Sequence, residues 1–286
     1  MVTDDTHIQH QRSMKILLDE FDRICNILQI PYVLFAGTLL GAVRHKGFIP
    51  WDDDLDVIML RKDYERFLQG APQHLDQQRF YLQKEFGEHW PMFFSKLRLN
   101  GTTCLETFHP KDTRMHQGIY IDIFPCDDAA KTHLGRYAQF LSSRVVVAKS
   151  LYRRGYETNS IIKKTFIALC RLLPLRLFAY LAKSGATEGE WVHSFFAGAS
   201  TFSKNVYPRS IFTEITFAQF EDRYYPVPVS YDVLLTQLFG QYMMKPPQQQ
   251  RKIKKHAVLI DTENSYEKYQ DFLKDTVFEF HTRSIR

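Results

Sequence analysis

The sequence predicts a chain of the α/β (α+β) class, with a core of strands and helices and a helical insertion. Short apolar runs of strand length alternate with helical patterns before residue 130, which is the arrangement of a layered sheet and helix core. From about 130 to 210 the pattern becomes helical and basic. Hydrophobic residues make up 44% and charged residues 24% of the 286 residues, an ordinary balance for a chain that buries a core.

The predicted elements follow from periodicity and from breaking residues. An apolar stripe predicts the first helix, with Ser13 as its cap, Pro31 after its end and disorder before it. The run 55–60 is apolar on both faces, so we expect it to be covered on both sides. Helices are predicted at 13–28, 38–45, 62–68 and 231–242, and strands at 32–36, 55–60, 93–99 and 118–124.

The later part of the chain has weaker signals. Pro226 and Pro228 predict a loop at 224–231, and Pro246-Pro247 marks a break before a polar C-terminal stretch. We therefore divide the chain into a catalytic core at 13–128, a helical, basic insertion at 129–210, and a part that completes the core at 211–286.

Charge and targeting signals limit the partners and the location. The net charge of +5 suits a protein that meets phosphates, nucleotides or an anionic membrane surface, and it is too weak to indicate nucleic-acid binding. The four cysteines have no metal-site spacing, so we interpret them as reduced thiols. The N-terminus lacks the basic start and apolar stretch of a signal peptide, and no window has the roughly 20 apolar residues of a membrane span. We expect a cytoplasmic protein.

The segment 49–56, Ile-Pro-Trp-Asp-Asp-Asp-Leu-Asp, carries the strongest chemical signal. On an extended chain Asp52, Asp54 and Asp56 point to one side, and Asp53 points away. Carboxylates spaced in this way can share a hard divalent cation such as Mg²⁺. A solvated acidic turn is the simpler interpretation, but the apolar strand that follows at once disfavours it. A calcium loop is excluded because Val57 stands where its turn glycine is required.

Asp122 is the candidate for a third carboxylate. It lies in the β-rich apolar run 118–124, where an unpaired carboxylate is costly to bury. A metal nearby would explain the burial of Asp122. Asp122 would then be a further ligand of that metal, or it would take the proton of an attacking hydroxyl. The alternative is a strand-end aspartate that caps a turn.

Several residues before and after the acidic segment could bind phosphate. Gly37-Thr38 follows a strand and begins a helix, a place where a phosphate can approach the backbone. Arg44 could clamp phosphate oxygens, and Lys96 stands alone among apolar residues. The predicted substrate-binding residues are Gly37, Thr38, Arg44, Lys46, Trp51 and Lys96. Walker, dinucleotide-binding and serine-hydrolase glycine motifs are absent from the sequence.

The segment 37–56 strongly resembles the LicD family of phosphocholine transferases, which is similar to the fukutin-type ribitol-phosphate transferases and has a nucleotidyltransferase fold. Ser95-Lys96-Leu97 and 118–125 resemble the next two blocks of that family, and 220–247 resembles its late block. In the late block Phe239 and Gln241 replace the family's frequent tyrosine and aspartate, which puts an acidic substrate contact in doubt. The insertion at 130–210 matches no block of the family.

The resemblance implies a nucleotidyltransferase-like mixed sheet flanked by helices, and an Mg²⁺-dependent transfer of phosphocholine from CDP-choline or a similar CDP-alcohol. Asp54 and Asp56 would hold one or two Mg²⁺ ions, or Mn²⁺, on the donor pyrophosphate. Asp122 would complete the metal site or take the proton of the acceptor, and CMP would leave. The acceptor would be a sugar hydroxyl of a cell-surface glycan such as lipopolysaccharide, teichoic acid or a capsule precursor. The resemblance does not decide whether the transferred group carries choline, ethanolamine, glycerol or ribitol.

The basic insertion has two interpretations. Basic residues alternate with apolar ones across 144–183, as in a helix that lies on an anionic membrane. This would bring the enzyme to the inner membrane and to a lipid-linked acceptor. The alternative is a pair of core-packing helices with solvated basic faces.

Two further functions stay open on the sequence alone. The same fold could carry a nucleotidyltransferase that acts on a small phosphorylated or hydroxylated substrate. A non-catalytic protein that binds a membrane or nucleic acid through its basic segment is a third hypothesis. The intact aspartates disfavour it, because unpaired carboxylates are costly to retain without a function.

Overall fold

The fold was analysed in a computed structural model of the chain. The structure describes residues 4–106, 114–156, 158–185, 188–197, 201–251 and 256–269.

Eight α-helices and eleven strands occur in these residues. The helices are α1 (Asp4–Leu28), α2 (Ala36–His45), α3 (Arg61–Gly70), α4 (His133–Arg154), α5 (Ile161–Leu172), α6 (Leu175–Lys183), α7 (Ser210–Thr213) and α8 (Tyr231–Phe239). The strands are β1 (Val33–Leu34), β2 (Asp56–Leu60), β3 (Phe80–Gln83), β4 (Ser95–Leu99), β5 (Thr103–Glu106), β6 (Tyr120–Asp128), β7 (Trp191–His193), β8 (Val206–Pro208), β9 (Ile215–Phe220), β10 (Arg223–Pro228) and β11 (Ala257–Asp261).

The main sheet is mixed, in the order β1-β2-β6-β4-β3. Only β2 and β6 run parallel, and the other neighbours are antiparallel. β7 pairs with the end of β6, and β8 pairs with β7. Two smaller sheets join β9 to β10 and β5 to β11. The predicted α/β class, with a mixed sheet flanked by helices, is confirmed.

The centre of the sheet is buried, as its apolar runs predict. Val57, Ile58 and Met59 of β2 are all buried, so this strand is covered on both faces. Helices α1 and α3 pack together through Phe21 and Phe67, whose ring centroids are 4.8 Å apart. The parallel register of β2 and β6 places Asp56 beside Asp122, which brings two predicted site residues to one place.

The predicted disorder before residue 13 is wrong for the described residues. Helix α1 begins at Asp4, and Ser13 lies inside it instead of capping it. The Ser13 hydroxyl donates a hydrogen bond to the carbonyl oxygen of Gln9, one helical turn earlier. The early turns are stabilised by contacts with the segment 49–53, which lies far away in sequence and leaves no local signal.

The insertion is not purely helical. Helices α4, α5 and α6 confirm the helical pattern up to residue 183, but β7 and β8 lie in the rest of the predicted helical range. These strands are three residues long, too short to show an alternating pattern. They lengthen the main sheet from the end of β6, so the insertion shares a sheet with the core.

The predicted loop at 224–231 is also wrong, because β9 and β10 form a hairpin there. Pro226 and Pro228 lie in a strand of a two-stranded sheet, where a residue without an N–H is tolerated on the outer edge. Helix α8 ends at Phe239, three residues before the predicted end. The polar C-terminal stretch contributes β11, which pairs with β5, and its residues 252–255 and 270–286 lie outside the described part.

Two further expectations can be compared with the structure. All four cysteines are buried and carry free thiols, as predicted. No single helix among the described residues is long and apolar enough to cross a membrane. The pair α5 and α6 passes that test together by length and composition, with a bend of 100° between the two helices.

Candidate active site

A cavity of about 430 Å³ opens where the start of α2, the acidic segment and the chain after α8 meet. Its walls contain three of the four clustered aspartates. The lining residues are Ala36, Gly37, Leu40, Arg44, Ile49, Trp51, Asp52, Asp54, Asp56, Phe239, Gln241, Tyr242, Met244 and Pro246. The first and late sequence blocks therefore form one site, as the predicted core requires.

The backbone of the acidic segment is held by the first helix. Nε2 of His7 lies 3.0 Å from the carbonyl oxygen of Pro50, and Nε2 of His10 lies 3.1 Å from that of Asp53. The amide of Gln11 donates to the carbonyl oxygen of Asp52 at 3.0 Å. Burial lowers the pKa of His10, which keeps its imidazole neutral with an N–H for the carbonyl. Side chains of one helix thus hold three carbonyl groups of the segment.

Gly37 is required by its close approach to Asp52. A Cβ atom at position 37 would lie 2.5 Å from Oδ2 of Asp52, closer than any side chain allows. In the described part of the chain, no side chain caps the first turn of α2, where Ala36 and Gly37 face the cavity. Its amide groups and helix dipole favour an anion there.

Asp56 begins β2 and lines the cavity. Its backbone N–H donates to the hydroxyl of Thr38 at 2.8 Å, so Thr38 contacts the strand, and it is not among the lining residues. Burial raises the pKa of Asp56 well above its usual range, and the nearby charges of Asp54, Asp122 and Asp52 raise it further. A bound cation would relieve this repulsion.

Asp53 points away from the cavity, as the alternation predicts. Its carboxylate accepts hydrogen bonds from the backbone N–H of His256 at 2.9 Å and from the His256 ring at 2.6 Å. Burial alone would raise the pKa of Asp53, but the bonds from His256 lower it. Asp53 therefore anchors the C-terminal part of the chain to the acidic segment.

The carboxylates present fit a divalent cation. One oxygen from each of Asp52, Asp53 and Asp54 lies within 4.8 Å of the others, and Asp52, Asp54 and Asp56 face the same cavity. Oxygen ligands of this kind suit Mg²⁺ or Mn²⁺. Asp53 is not among the lining residues, so Asp52, Asp54 and Asp56 are the carboxylates of the cavity that could hold such an ion. The segment 52–55 precedes the strand, so its alternation comes from an extended chain outside the sheet.

Asp122 of β6 is the register partner of Asp56 on β2, and its carboxylate forms an ion pair with a lysine. Nζ of Lys96 is 2.8 Å from Oδ1 of Asp122 and 3.5 Å from Oε1 of Glu106. Lys96 is 1% exposed, and its Nζ lies 3.1 Å from the centroid of the Tyr120 ring. Asp122 is not a lining residue of the cavity, so its role as the third carboxylate stays a prediction.

Glu106 is the centre of a buried charge network. Arg154, at the end of α4, pairs with it closely, and the Tyr120 hydroxyl donates to it at 2.8 Å. Burial alone would raise the pKa of Glu106, but Arg154, Lys96 and Arg98 hold it well below its usual range. The network therefore connects the helical insertion to the strand that carries Asp122.

The remaining predicted residues occupy different positions. Arg44 lines the cavity, and its guanidinium also donates to the carbonyl oxygens of Tyr242 at 2.6 Å and Met244 at 3.3 Å. Trp51 lines the cavity, and the guanidinium of Arg251 lies 5.7 Å from its ring centroid. Lys46 is exposed at the C-terminus of α2, outside the cavity lining, and its carbonyl oxygen accepts from Glu221.

Sequence reasoning missed the residues that support the site from other elements. His7, His10 and Gln11 recur at spacings of three and four residues on α1, which is a weak signal because any amphipathic helix contains such spacings. No spacing could have indicated the pairing of Glu106 with Arg154 or of Asp53 with His256. The missed supporting residues are His7, His10, Gln11, Glu106, Arg154 and His256.

Comparison with known proteins shows which proteins the chain resembles. The model of the LicD/FKTN/FKRP nucleotidyltransferase domain matches residues 29–153, which include α2, the acidic segment and β6. The lipopolysaccharide cholinephosphotransferase LicD of Haemophilus influenzae is 27% identical over 245 residues, covering 82% of this chain and 91% of that protein. Residues 29–153 of the chain therefore carry a nucleotidyltransferase domain of the LicD/FKTN/FKRP type.

Two shorter matches carry no functional name. An uncharacterised protein of Rickettsia typhi is 54% identical over 44 residues, covering 15% of this chain and 14% of that protein. One of Rickettsia prowazekii is 52% identical over 44 residues, covering 15% of this chain and 16% of that protein.

Proposed function

We propose that this protein is a phosphotransferase that moves phosphocholine, or a similar phospho-alcohol, from a CDP-linked donor to a sugar hydroxyl of a cell-surface glycan, with release of CMP. The observation that carries the proposal is the group of three carboxylates, Asp52, Asp54 and Asp56, in one cavity beside the uncapped start of α2. Its similarity to a lipopolysaccharide cholinephosphotransferase over most of its length supports the same reaction class.

The cavity carries both positive and negative groups, which suits a pyrophosphate donor with its metal ion. Gly37, at the start of α2, and the Arg44 guanidinium offer positive potential to phosphate oxygens. Asp54 and Asp56 are proposed to hold Mg²⁺, with Asp52 as a further ligand. The bound ion would supply charge neutralisation on the donor phosphates. Trp51 gives the cavity an apolar wall against which the donor can lie.

In the proposed step the hydroxyl oxygen of the acceptor forms a bond to the phosphorus that carries choline, and the bond from that phosphorus to CMP breaks. The hydroxyl proton passes to a carboxylate of the site. Asp122 is proposed to take that proton or to complete the metal site, and its neighbour Asp56 is held beside it by the parallel register of β2 and β6. Lys96 keeps Asp122 oriented through its 2.8 Å ion pair.

The acceptor is proposed to be a lipopolysaccharide, teichoic acid or capsule precursor, reached at the cytoplasmic face of the membrane. The named substrate of the Haemophilus relative supports a glycan acceptor. The basic composition of the insertion supports a location beside an anionic surface, since its described residues 158–185 contain no acidic side chain.

A nucleotidyltransferase of the same fold is the second candidate. It is favoured by the description of the matching domain, which names that fold. This candidate uses the same carboxylates and differs in the bond that breaks, so that pyrophosphate leaves instead of CMP.

The two candidates are separated by the products of one reaction. The purified chain is incubated with Mg²⁺, CDP-choline labelled in the choline group, and a panel of glycan acceptors, and in parallel with nucleoside triphosphates. The proposal expects CMP release with label on a glycan. Pyrophosphate release from a triphosphate, with CDP-choline left intact, would establish the nucleotidyltransferase instead.

A further inference from the structure

Helices α5 and α6 carry an exposed apolar surface that the proposed chemistry does not use. Large apolar side chains cover the side of α5 that faces away from α4, with exposures from 44% for Phe166 to 84% for Leu172. They repeat at helical spacing, so they form one continuous side of the helix. The surface consists of Ile161, Ile162, Phe166, Leu169, Leu172, Leu177 and Tyr180, and we name it the α5–α6 surface.

The opposite side of the two helices already has partners. Cys170 of α5 packs with Val145 and Ala148 of α4 in a small buried cluster, and Phe178 of α6 contacts it. Ala182 of α6 is fully buried in the main core. The two helices therefore have one apolar side for folding and a second apolar side that folding leaves exposed.

The bend between the helices is fixed by the neighbouring helix. Nζ of Lys149, on α4, donates to the carbonyl oxygens of Arg171 at 2.8 Å and Leu173 at 2.6 Å, where α5 ends. Pro174 is the N-cap of α6, and the helix axes turn by 100°. Because of this bend the pair presents a broad face instead of a straight span.

Basic side chains border the exposed apolar face. Lys163, Lys164, Arg171 and Arg176 are all exposed, and residues 158–185 contain no aspartate or glutamate. A surface with apolar residues in the middle, cations at the border and no anions is complementary to an anionic lipid bilayer, whose headgroups attract the cations while the acyl region accepts the apolar side chains.

We propose that the α5–α6 surface binds the face of an anionic membrane, with Ile162, Phe166, Leu169 and Leu172 inserted at the headgroup boundary. A second copy of the chain is a poorer partner, because the same basic residues would meet each other across a symmetric contact. The inference does not rest on the identity of the donor or on the metal site, since it concerns a surface outside the cavity lining.

Co-sedimentation with lipid vesicles tests this inference. The full chain is mixed with vesicles of phosphatidylcholine that contain phosphatidylglycerol, and with vesicles of phosphatidylcholine alone. We expect binding to the anionic vesicles, weaker binding to the neutral ones, and a decrease at high salt because the cations are screened. A chain that stays in the supernatant with both vesicles would overturn the inference.

Two variants and a matched control locate the contact. I162S combined with L172S is expected to weaken binding by at least roughly tenfold, because two large apolar side chains lose their lipid contact. K164E combined with R171E is expected to abolish the preference for anionic vesicles while leaving the apolar side chains in place. The control L134S changes a leucine of α4 that is equally exposed, at 79%, and is expected to bind like the unaltered chain.

Two further results would contradict the assignment. Equal losses for L134S and for I162S with L172S would mean that general surface hydrophobicity, and not the α5–α6 surface, drives binding. If light scattering shows a dimer that I162S with L172S converts to a monomer, and vesicle binding is absent, then a second copy covers the surface. Circular dichroism of each variant checks that the fold is kept, since all substituted side chains are exposed.

Discussion

Lys96 is a fully buried cation that neutralises carboxylates from two strands. It lies 2.8 Å from Asp122 and 3.5 Å from Glu106. Burial lowers the pKa of Lys96, and the two carboxylates oppose that effect. The predicted contact of Lys96 with phosphate stays a prediction, and in the structure its ammonium group forms an ion pair with Asp122.

Replacement of Lys96 therefore tests the network. K96M would leave the Asp122 carboxylate without its cation and Glu106 with only its arginine partners, so we expect the free energy of unfolding in denaturant to fall by about 3–5 kcal/mol. The control is K62M, because Lys62 is 80% exposed and pairs with an exposed glutamate. Its loss should be about 0–1 kcal/mol. Similar losses for the two variants would show that the Lys96 pairs are not needed for stability.

His193 is buried beside Asp127 and stays neutral in the folded chain. Burial lowers its pKa to about 4, against an ordinary value of 6.5, although Asp127 raises it. Its Nε2 lies 3.0 Å from the carbonyl oxygen of Ala182, and its ring stacks on Phe195. The charged groups of its surroundings are Asp127, Asp128 and Arg61.

The folding free energy should depend on this histidine in mildly acidic solution. Between pH 6.5 and 4 the unfolded chain binds a proton at His193 that the folded chain does not, so stability falls as the pH is lowered through this window. At the acidic end of this window, the lowered pKa of His193 reduces the free energy of unfolding by roughly 3 kcal/mol. Urea unfolding at several pH values should show a flatter profile for H193Q. The control H133Q changes an exposed histidine, so its unfolding free energy should vary with pH as in the unaltered chain. If the unfolding free energy of H193Q keeps the same slope against pH, His193 is not the group responsible.

At the scale of elements, α2 and the acidic segment are packed backbone to backbone. A Cβ atom at Gly41 would lie 2.5 Å from the carbonyl oxygen of Gly47 and 3.5 Å from the backbone nitrogen of Ile49, and both of these are main-chain atoms. The turn between β9 and β10 supports the same place, because the Glu221 carboxylate accepts from the N–H of Phe48 at 2.9 Å. The site is thus assembled from elements that allow little displacement.

G41A tests this packing. In an isolated helix the change to alanine would add about 1 kcal/mol of stability. Here we expect a loss of about 1–3 kcal/mol together with reduced turnover, because α2 must move away from the segment that carries the aspartates. In the control G70A the new Cβ meets the flexible end of Leu28, so thermal unfolding should change little. A G41A variant as stable and as active as the unaltered chain would contradict the close packing.

The elements also show which parts of a fold a sequence can predict. β2 and β6 were predicted because each is a run of apolar residues buried by its own composition. The first turns of α1 were missed because they are stabilised by the carbonyl groups of Pro50 and Asp53, across 43 residues. The β9 and β10 hairpin was missed because Pro226 and Pro228 are ordinarily loop signals, and only the pairing partner shows that the edge tolerates them.

At the scale of the whole molecule, the insertion is joined to the core in two places. β7 extends the main sheet from Asp127 and Asp128, and Arg154 of α4 pairs with Glu106. The α5–α6 surface lies on this insertion, outside the lining of the cavity. The predicted boundaries at 129 and 210 mark a change of composition and not a gap in the sheet.

The candidate site was predictable where its residues are close in sequence. The spacing of Asp52, Asp54 and Asp56 identified three carboxylates that share the cavity. The sequence also pointed to Asp122, but it did not indicate that Lys96 forms an ion pair with the Asp122 carboxylate. The partners of buried charges come from distant strands and helices, and their pairing depends on a register that local patterns do not specify.

The central claim is that the carboxylates of the cavity hold the ion for phosphoryl transfer, and D56N tests it most directly. CMP release from CDP-choline in the presence of Mg²⁺ is compared between the unaltered chain, D56N, and the control D222N, whose carboxylate is 73% exposed and pairs with Lys15. We predict that D56N lowers turnover by at least about a hundredfold without unfolding the protein, and that D222N leaves it unchanged. Turnover by folded D56N within a few fold of that of the unaltered chain would contradict the claim.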